Sequence, residues 1–91
     1  MATVEKTLTL TNKVGLHARP AALFVQVAAG FNASVQVECG GRVADAKRIL
    51  QVLQLGAEHG ATLHLHAEGD DAAEAASALA DLVEARFGEP E

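Results

Sequence analysis

Apolar and polar residues alternate over residues 4–10, with Val4, Leu8 and Leu10 on one side and Glu5, Thr7 and Thr9 on the other. That two-residue period predicts a half-buried strand, with Lys6 interrupting its apolar side. The run ARPAALFVQVAA over residues 18–29 then reads as a helix, closed by Gly30 and carrying Pro20 in its first turn, where a missing N–H costs the helix nothing. Alternation returns over residues 34–39, with Val35, Val37 and Cys39 on one side, and Gly40-Gly41 supplies a tight hairpin turn before a short strand over 42–44. A short helix is expected over 46–55, closed by Gly56, and a last strand over 62–68, with Leu63, Leu65 and Ala67 inward and His64, His66 and Glu68 outward. Asp70 or Asp71 is expected to cap a final helix in which Ala72, Ala75, Ala76, Leu79, Leu82 and Val83 recur at helical spacing, ending near Gly88. The order βαββαβα, with a hairpin at its centre, points to an α+β fold in which an antiparallel sheet carries helices on one face.

The middle helix departs from a simple amphipathic pattern. Ile49, Leu50, Val52, Leu53 and Leu55 make five apolar positions in seven, more than one buried stripe requires, so some are expected to face outward.

With 91 residues the chain is expected to form one domain spanning 1–91. Hydrophobic residues make up 49% of it but aromatics only 3%, so the core is expected to rest on Leu, Val and Ala. Few aromatics and a net charge of −5 also argue against a nucleic-acid binder, which needs stacking platforms and a basic stripe. The charge is uneven: residues 1–50 hold six basic side chains against three acidic ones, and residues 51–91 hold one against nine. A site that handles an anion is therefore expected in the first half, although sequence halves need not be opposite faces.

Cys39 is the single cysteine, which excludes an internal disulfide and a cysteine-built metal centre; it reads as a small core residue in a reducing compartment. Nothing resembles a signal peptide or a membrane span, so a cytoplasmic protein without membrane insertion is expected. His64 and His66 share a strand face but lack a third ligand nearby in sequence, so they read as solvent-facing, and His59 is given no role.

The segment Gly15-Leu16-His17-Ala18-Arg19-Pro20-Ala21 carries the chemistry. It puts a histidine where a loop enters a helix, beside the positive end of the helix dipole and its unpaired amides. Arg19 adds a cation two residues on. An imidazole that is largely neutral near pH 7 is a nucleophile, so the combination suits a histidine that accepts a phosphoryl group. A lone histidine at a helix start is more often a capping or solvated residue, and a lone arginine more often a surface charge; the combination is what separates this segment from either.

Gly15-Leu16-His17-Ala18-Arg19-Pro20-Ala21-Ala22 resembles the active-site signature of the HPr family, phosphocarriers of the bacterial phosphoenolpyruvate-dependent sugar phosphotransferase system. The Gly40-Gly41 hairpin, the helix ending Leu55-Gly56, and the Ala67-Glu68-Gly69-Asp70 turn also fall where that family has them. The resemblance implies an open-faced β-sandwich, a four-stranded antiparallel sheet covered on one face by three helices. It implies a carrier rather than an enzyme with its own small-molecule turnover. His17 would be phosphorylated on Nδ1 by enzyme I and would pass the group to an enzyme IIA histidine. Ala18 and Arg19 would bind the phosphoryl group, with Arg19 supporting both transfers. Ala18, Ala22, Lys47, Arg48, Ile49, Leu50 and Leu53 would form the docking surface. A monomer is expected, with no cofactor and no metal.

Two positions depart from the pattern. Many relatives carry a kinase-modified serine after the lysine that opens the middle helix; here Arg48 stands there, so serine-based regulation is not expected, and Asp45 is expected to offset the arginine's charge. Gln26 and Ala29 replace lysines that some relatives carry on the first helix. The competing functions are a regulatory module of a related phosphotransferase branch, acting by protein contact without chemistry, and a metabolite-binding domain. Retention of both His17 and Arg19 favours the carrier over the first, and the lack of a glycine-rich or polar pocket in the sequence speaks against the second.

Overall fold

In the computed structural model, which describes residues 2–89, strands β1 (Ala2–Thr9), β2 (Ser34–Cys39), β3 (Arg42–Asp45) and β4 (Thr62–Gly69) alternate with helices α1 (Ala18–Ala29), α2 (Ile49–Gln54) and α3 (Ala72–Glu84) in the order βαββαβα. The sheet is antiparallel throughout, in the order β1-β4-β2-β3. Its register puts Val4 and Val35 on either side of Ala67, and Val37 beside Leu65. Val35, Val37, Leu63, Leu65 and Ala67 are buried on one face, while Gln36, Thr62, His64 and Glu68 on the other are exposed, giving the one-sided sheet expected from the pattern and the open-faced sandwich implied by the resemblance. Cys39 is half-buried at the core's edge rather than within it.

The helices supply the second layer. α1 buries Pro20, Ala21, Phe24 and Ala28, and α3 buries Ala72, Ala75, Ala76, Leu79, Ala80 and Val83. Alanine on four of those six α3 positions lets the helix lie close to the sheet, and the core as a whole is filled by Leu, Val and Ala around two phenylalanines, Phe24 and Phe87.

Several boundaries differ from the sequence reading for identifiable reasons. β1 begins at Ala2, because β4 runs to Gly69 and offers it a partner; Leu10 lies beyond the strand, bonding through its N–H to the Ala61 carbonyl at 2.9 Å. The middle helix starts at Ile49 rather than residue 46 because Arg48 just before it is in extended backbone, φ −121° and ψ 110°; ahead of it the Ala46 N–H bonds the Val35 carbonyl and the Lys47 N–H the Asp45 carboxylate, each at 2.9 Å. α3 stops at Glu84, and a separate 3-10 turn, Arg86–Gly88, follows it.

Asp71 occupies the position before α3, but its carboxylate does not cap that helix. It accepts instead from the N–H groups of Asn32 at 2.9 Å and Ala33 at 2.7 Å, stitching the α1–β2 turn to the start of α3. The Asn32 bond foremost, aided by the one from Ala33, holds the carboxyl below its usual 3.8. A lowered carboxylate pKa contributes stability that is complete above the unfolded value and lost as pH falls through the folded one. Asp71→Asn is therefore expected to melt below the parent at neutral pH, the difference shrinking as pH drops below 3.8; a pH-independent gap in thermal melts would contradict this.

Candidate functional site

The loop between β1 and α1 is set by backbone bonds that leave its histidine outside. The Leu16 N–H donates to the Ala57 carbonyl at 2.9 Å and the Leu16 side chain is buried, so the residue before the histidine is anchored in the core. His17 follows in extended backbone at the N-cap of α1, with φ −76° and ψ −178°; its carbonyl accepts the first helical bond, from Ala21, at 2.8 Å. The imidazole caps nothing, makes no hydrogen bond among the described residues, and is exposed.

Not every amide near His17 remains available to an anion. The His17 N–H is used on the Gly15 carbonyl at 2.9 Å and that of Ala21 on His17 itself, and Pro20 has none, which leaves Ala18 and Arg19 as the first-turn donors. Arg19 is exposed, and its guanidinium reaches the Glu89 carboxylate at 3.3 Å. That contact was not legible in the sequence, where 70 residues separate the partners. Asn12, also missed, is fully buried and donates from Nδ2 to the Gly15 carbonyl at 2.8 Å and to Glu89 at 3.1 Å. The contact also shows that the acidic and basic halves of the chain are not separate faces: β4 lies between β1 and β2, and a second-half carboxylate sits on the first-half site.

A shallow groove of about 370 Å³ opens beside His17, lined by Val14, Leu16, Ala18, Leu53 and Gly56 among others. Ile49, Leu50 and Leu53 are exposed, Leu50 to 70%, which accounts for the surplus of apolar residues on α2. Val14, 49% exposed, belongs to the same surface and was not anticipated. Ala22 is half-buried one turn along α1 from Ala18. Lys47 and Arg48 lie at the other end of the helix pair. The Lys47 ammonium donates to the Phe31 carbonyl at 2.8 Å, beyond the C-terminus of α1, and Arg48 faces Asp45 at 3.6 Å, the offset expected from the sequence. A 12-residue helix spans about 18 Å, so these two cations stand roughly that far along α1 from His17. A larger groove, about 740 Å³, lies between β3 and α2 around Arg42, Val43 and Gln51, and holds no nucleophile.

The outward histidines of β4 are engaged with carboxylates. His64 Nε2 is 3.8 Å from Glu38, and His66 is 2.9 Å from Glu68 and 3.9 Å from Glu5.

Known proteins resemble this chain in sequence and in shape. A family model described as the PTS HPr component phosphorylation site matches residues 4–85. The chain is 42% identical over 88 residues to the phosphocarrier protein HPr of Cupriavidus necator, covering 97% of this chain and 99% of that one. It is 46% identical over 88 residues to the phosphocarrier protein HPr of Pseudomonas aeruginosa, covering 92% and 94%. The crystal structure of HPr-C-His from Thermoanaerobacter tengcongensis superposes with a TM-score of 0.94 at 48% identity, covering 97% of this chain and 99% of that one. With an exposed histidine at the start of α1 in the signature segment and a family match along nearly its whole length, the chain belongs to the HPr family, phosphocarrier proteins of the phosphotransferase system and not catalytic enzymes.

Proposed function

We propose that His17 accepts a phosphoryl group from the phosphohistidine of enzyme I and passes it to a histidine of an enzyme IIA domain, in the cytoplasm, with the chain acting as a monomer. The observation that carries this reading is an exposed imidazole at a helix N-terminus, without a hydrogen bond among the described residues, with a guanidinium in the same turn and an apolar groove beside it. In the transfer the lone pair of His17 Nδ1 forms the new N–P bond while the donor's N–P bond breaks and its electron pair stays on the donor ring. If both rings keep the hydrogen on their other nitrogen, the donor leaves as a neutral imidazole and no net proton moves. The protein aligns the two rings and balances charge on the three equatorial oxygens, through the Ala18 and Arg19 amides and the Arg19 guanidinium. Ala18, Ala22, Ile49, Leu50 and Leu53 form the apolar part of the docking surface, with Lys47 and Arg48 a separate basic contact along α1 and α2. Arg48 offers a kinase no hydroxyl, so regulation through a serine at this position is absent.

The test is incubation with phosphoenolpyruvate, enzyme I and Mg²⁺. One acid-labile, alkali-stable phosphoryl group is expected per chain, and Arg19→Glu is expected to slow its arrival by about 100-fold, the scale of losing one oriented charge donor. Failure of the parent to take up phosphate would leave only the reading of a contact module without chemistry.

A further inference from the structure

The last described turn of the chain returns to the site. After α3 the backbone takes the left-handed conformation at two successive non-glycine residues, Arg86 and Phe87, each with φ 55°, which L side chains seldom adopt. The turn is held by the Phe87 side chain, only 2% exposed in the core. Its result is to bring the Glu89 carboxylate between two groups of the site. One oxygen accepts from Arg19 Nη1 at 3.3 Å and the other from Asn12 Nδ2 at 3.1 Å. Asn12 in turn holds the Gly15 carbonyl at 2.8 Å, and its own backbone carbonyl accepts from His59 Nδ1 at 3.1 Å. The loop that presents His17 and the guanidinium that follows it are thus tied to one carboxylate.

We propose that Glu89 is a positioning residue that acts through Arg19, engaging the guanidinium while His17 is bare and competing with the phosphoryl group for it once His17 is loaded. The proposal rests on the reading of His17 as the phosphoryl carrier. The asymmetry of burial sets its sign. The Glu89 side chain is 18% exposed and that of Arg19 is 64% exposed, so the carboxylate depends more on the pair than the arginine does. When a phosphoryl group draws Arg19 toward itself, Glu89 must share its cation or lose it, and two anions are brought near one guanidinium. That cost falls on the loaded state alone. It raises the free energy of phosphohistidine relative to bare histidine, and so favours onward transfer over storage. A second cation in place of Glu89 would do the reverse and deepen a trap.

The test measures the equilibrium ratio of phosphorylated to free chain at fixed phosphoenolpyruvate, pyruvate and enzyme I, for the parent, Glu89→Gln, Glu89→Asp, Arg19→Gln and the double variant Arg19→Gln/Glu89→Gln. Glu89→Gln is expected to raise the ratio about twofold to fivefold, the scale of an exposed ion pair, and Glu89→Asp to stay near the parent. Because the effect runs through Arg19, adding Glu89→Gln to Arg19→Gln is expected to leave the ratio where Arg19→Gln alone puts it. A purely structural role would change the melting temperature without moving this ratio. An unchanged or lowered ratio in Glu89→Gln, or the full rise persisting without Arg19, overturns the proposal; a parent that takes up no phosphate removes the carrier reading and this proposal together.

Discussion

A His17→Ala variant is expected to fold as the parent does and to take up no phosphoryl group at all from phospho-enzyme I. The first half of that expectation follows from how little the imidazole does structurally: it is exposed and makes no cap, and the bonds that shape its surroundings are made by backbone atoms of Leu16, His17 and Ala21. Surface substitutions of this kind stay within about 0.5 kcal/mol of the parent. The second half follows from what surrounds the other three histidines. His59 lies in the loop before β4 with Nδ1 committed to the Asn12 carbonyl at 3.1 Å. His64 and His66 lie on the open face of the sheet with Glu38, Glu5 and Glu68 within 4 Å, carboxylates that repel an incoming dianion rather than neutralise it. Only His17 combines an exposed ring, first-turn amides and a guanidinium. Intact-mass measurement after incubation with the donor reads the outcome directly, and a phosphoryl group retained by the variant would mean that one of these other rings is the acceptor.

Much of this site was legible because it is local. The helix start, Pro20 in the first turn, Arg19 two residues from His17 and the outward apolar positions of α2 are all set by neighbours within a few residues, where periodicity and helix chemistry act. Element order and the Gly40-Gly41 hairpin were legible for the same reason. The rest depended on distant partners. The middle helix lost three residues at its start because Arg48 is extended, at the end of a segment whose Ala46 N–H is tied to the Val35 carbonyl of β2, a bond that exists only after the sheet has formed. Asp71 looked like an ordinary helix cap, yet a turn some 40 residues away competes successfully for its carboxylate. Glu89 lies just past the expected end of the last helix with no local sign of a role, and only the left-handed turn at Arg86 and Phe87 directs it onto Arg19. The side chain that fixes this turn is Phe87, buried in the core.

Gly15→Ala is expected to be the most damaging conservative change near the site, lowering stability by about 3 kcal/mol and displacing His17 as well. Gly15 has φ +68°, where a side chain costs roughly 1–2 kcal/mol. Its surroundings add to that, since a Cβ built there would lie 2.5 Å from the Ala57 carbonyl oxygen and 2.6 Å from the Glu58 Cα. Both obstacles are backbone, and the first is the acceptor of the Leu16 N–H bond, so relief of the clash means pulling apart the contact that anchors the residue before His17. Forcing volume into a packed site costs a further 1–3 kcal/mol or so. The Gly15 carbonyl compounds the effect, because it accepts from both Asn12 Nδ2 and the His17 N–H, and its movement loosens the loop on each side. In thermal melts the loss corresponds to roughly 10–20 °C for a domain of this size. Gly40→Ala is the matched control: φ there is +58°, yet nothing lies within 4 Å of the added carbon, so it is expected to show the backbone penalty alone and to keep full phosphoryl uptake. If the two variants melted within a few degrees of each other, the close approach of the 57–58 backbone to Gly15 would not be what fixes the position of His17.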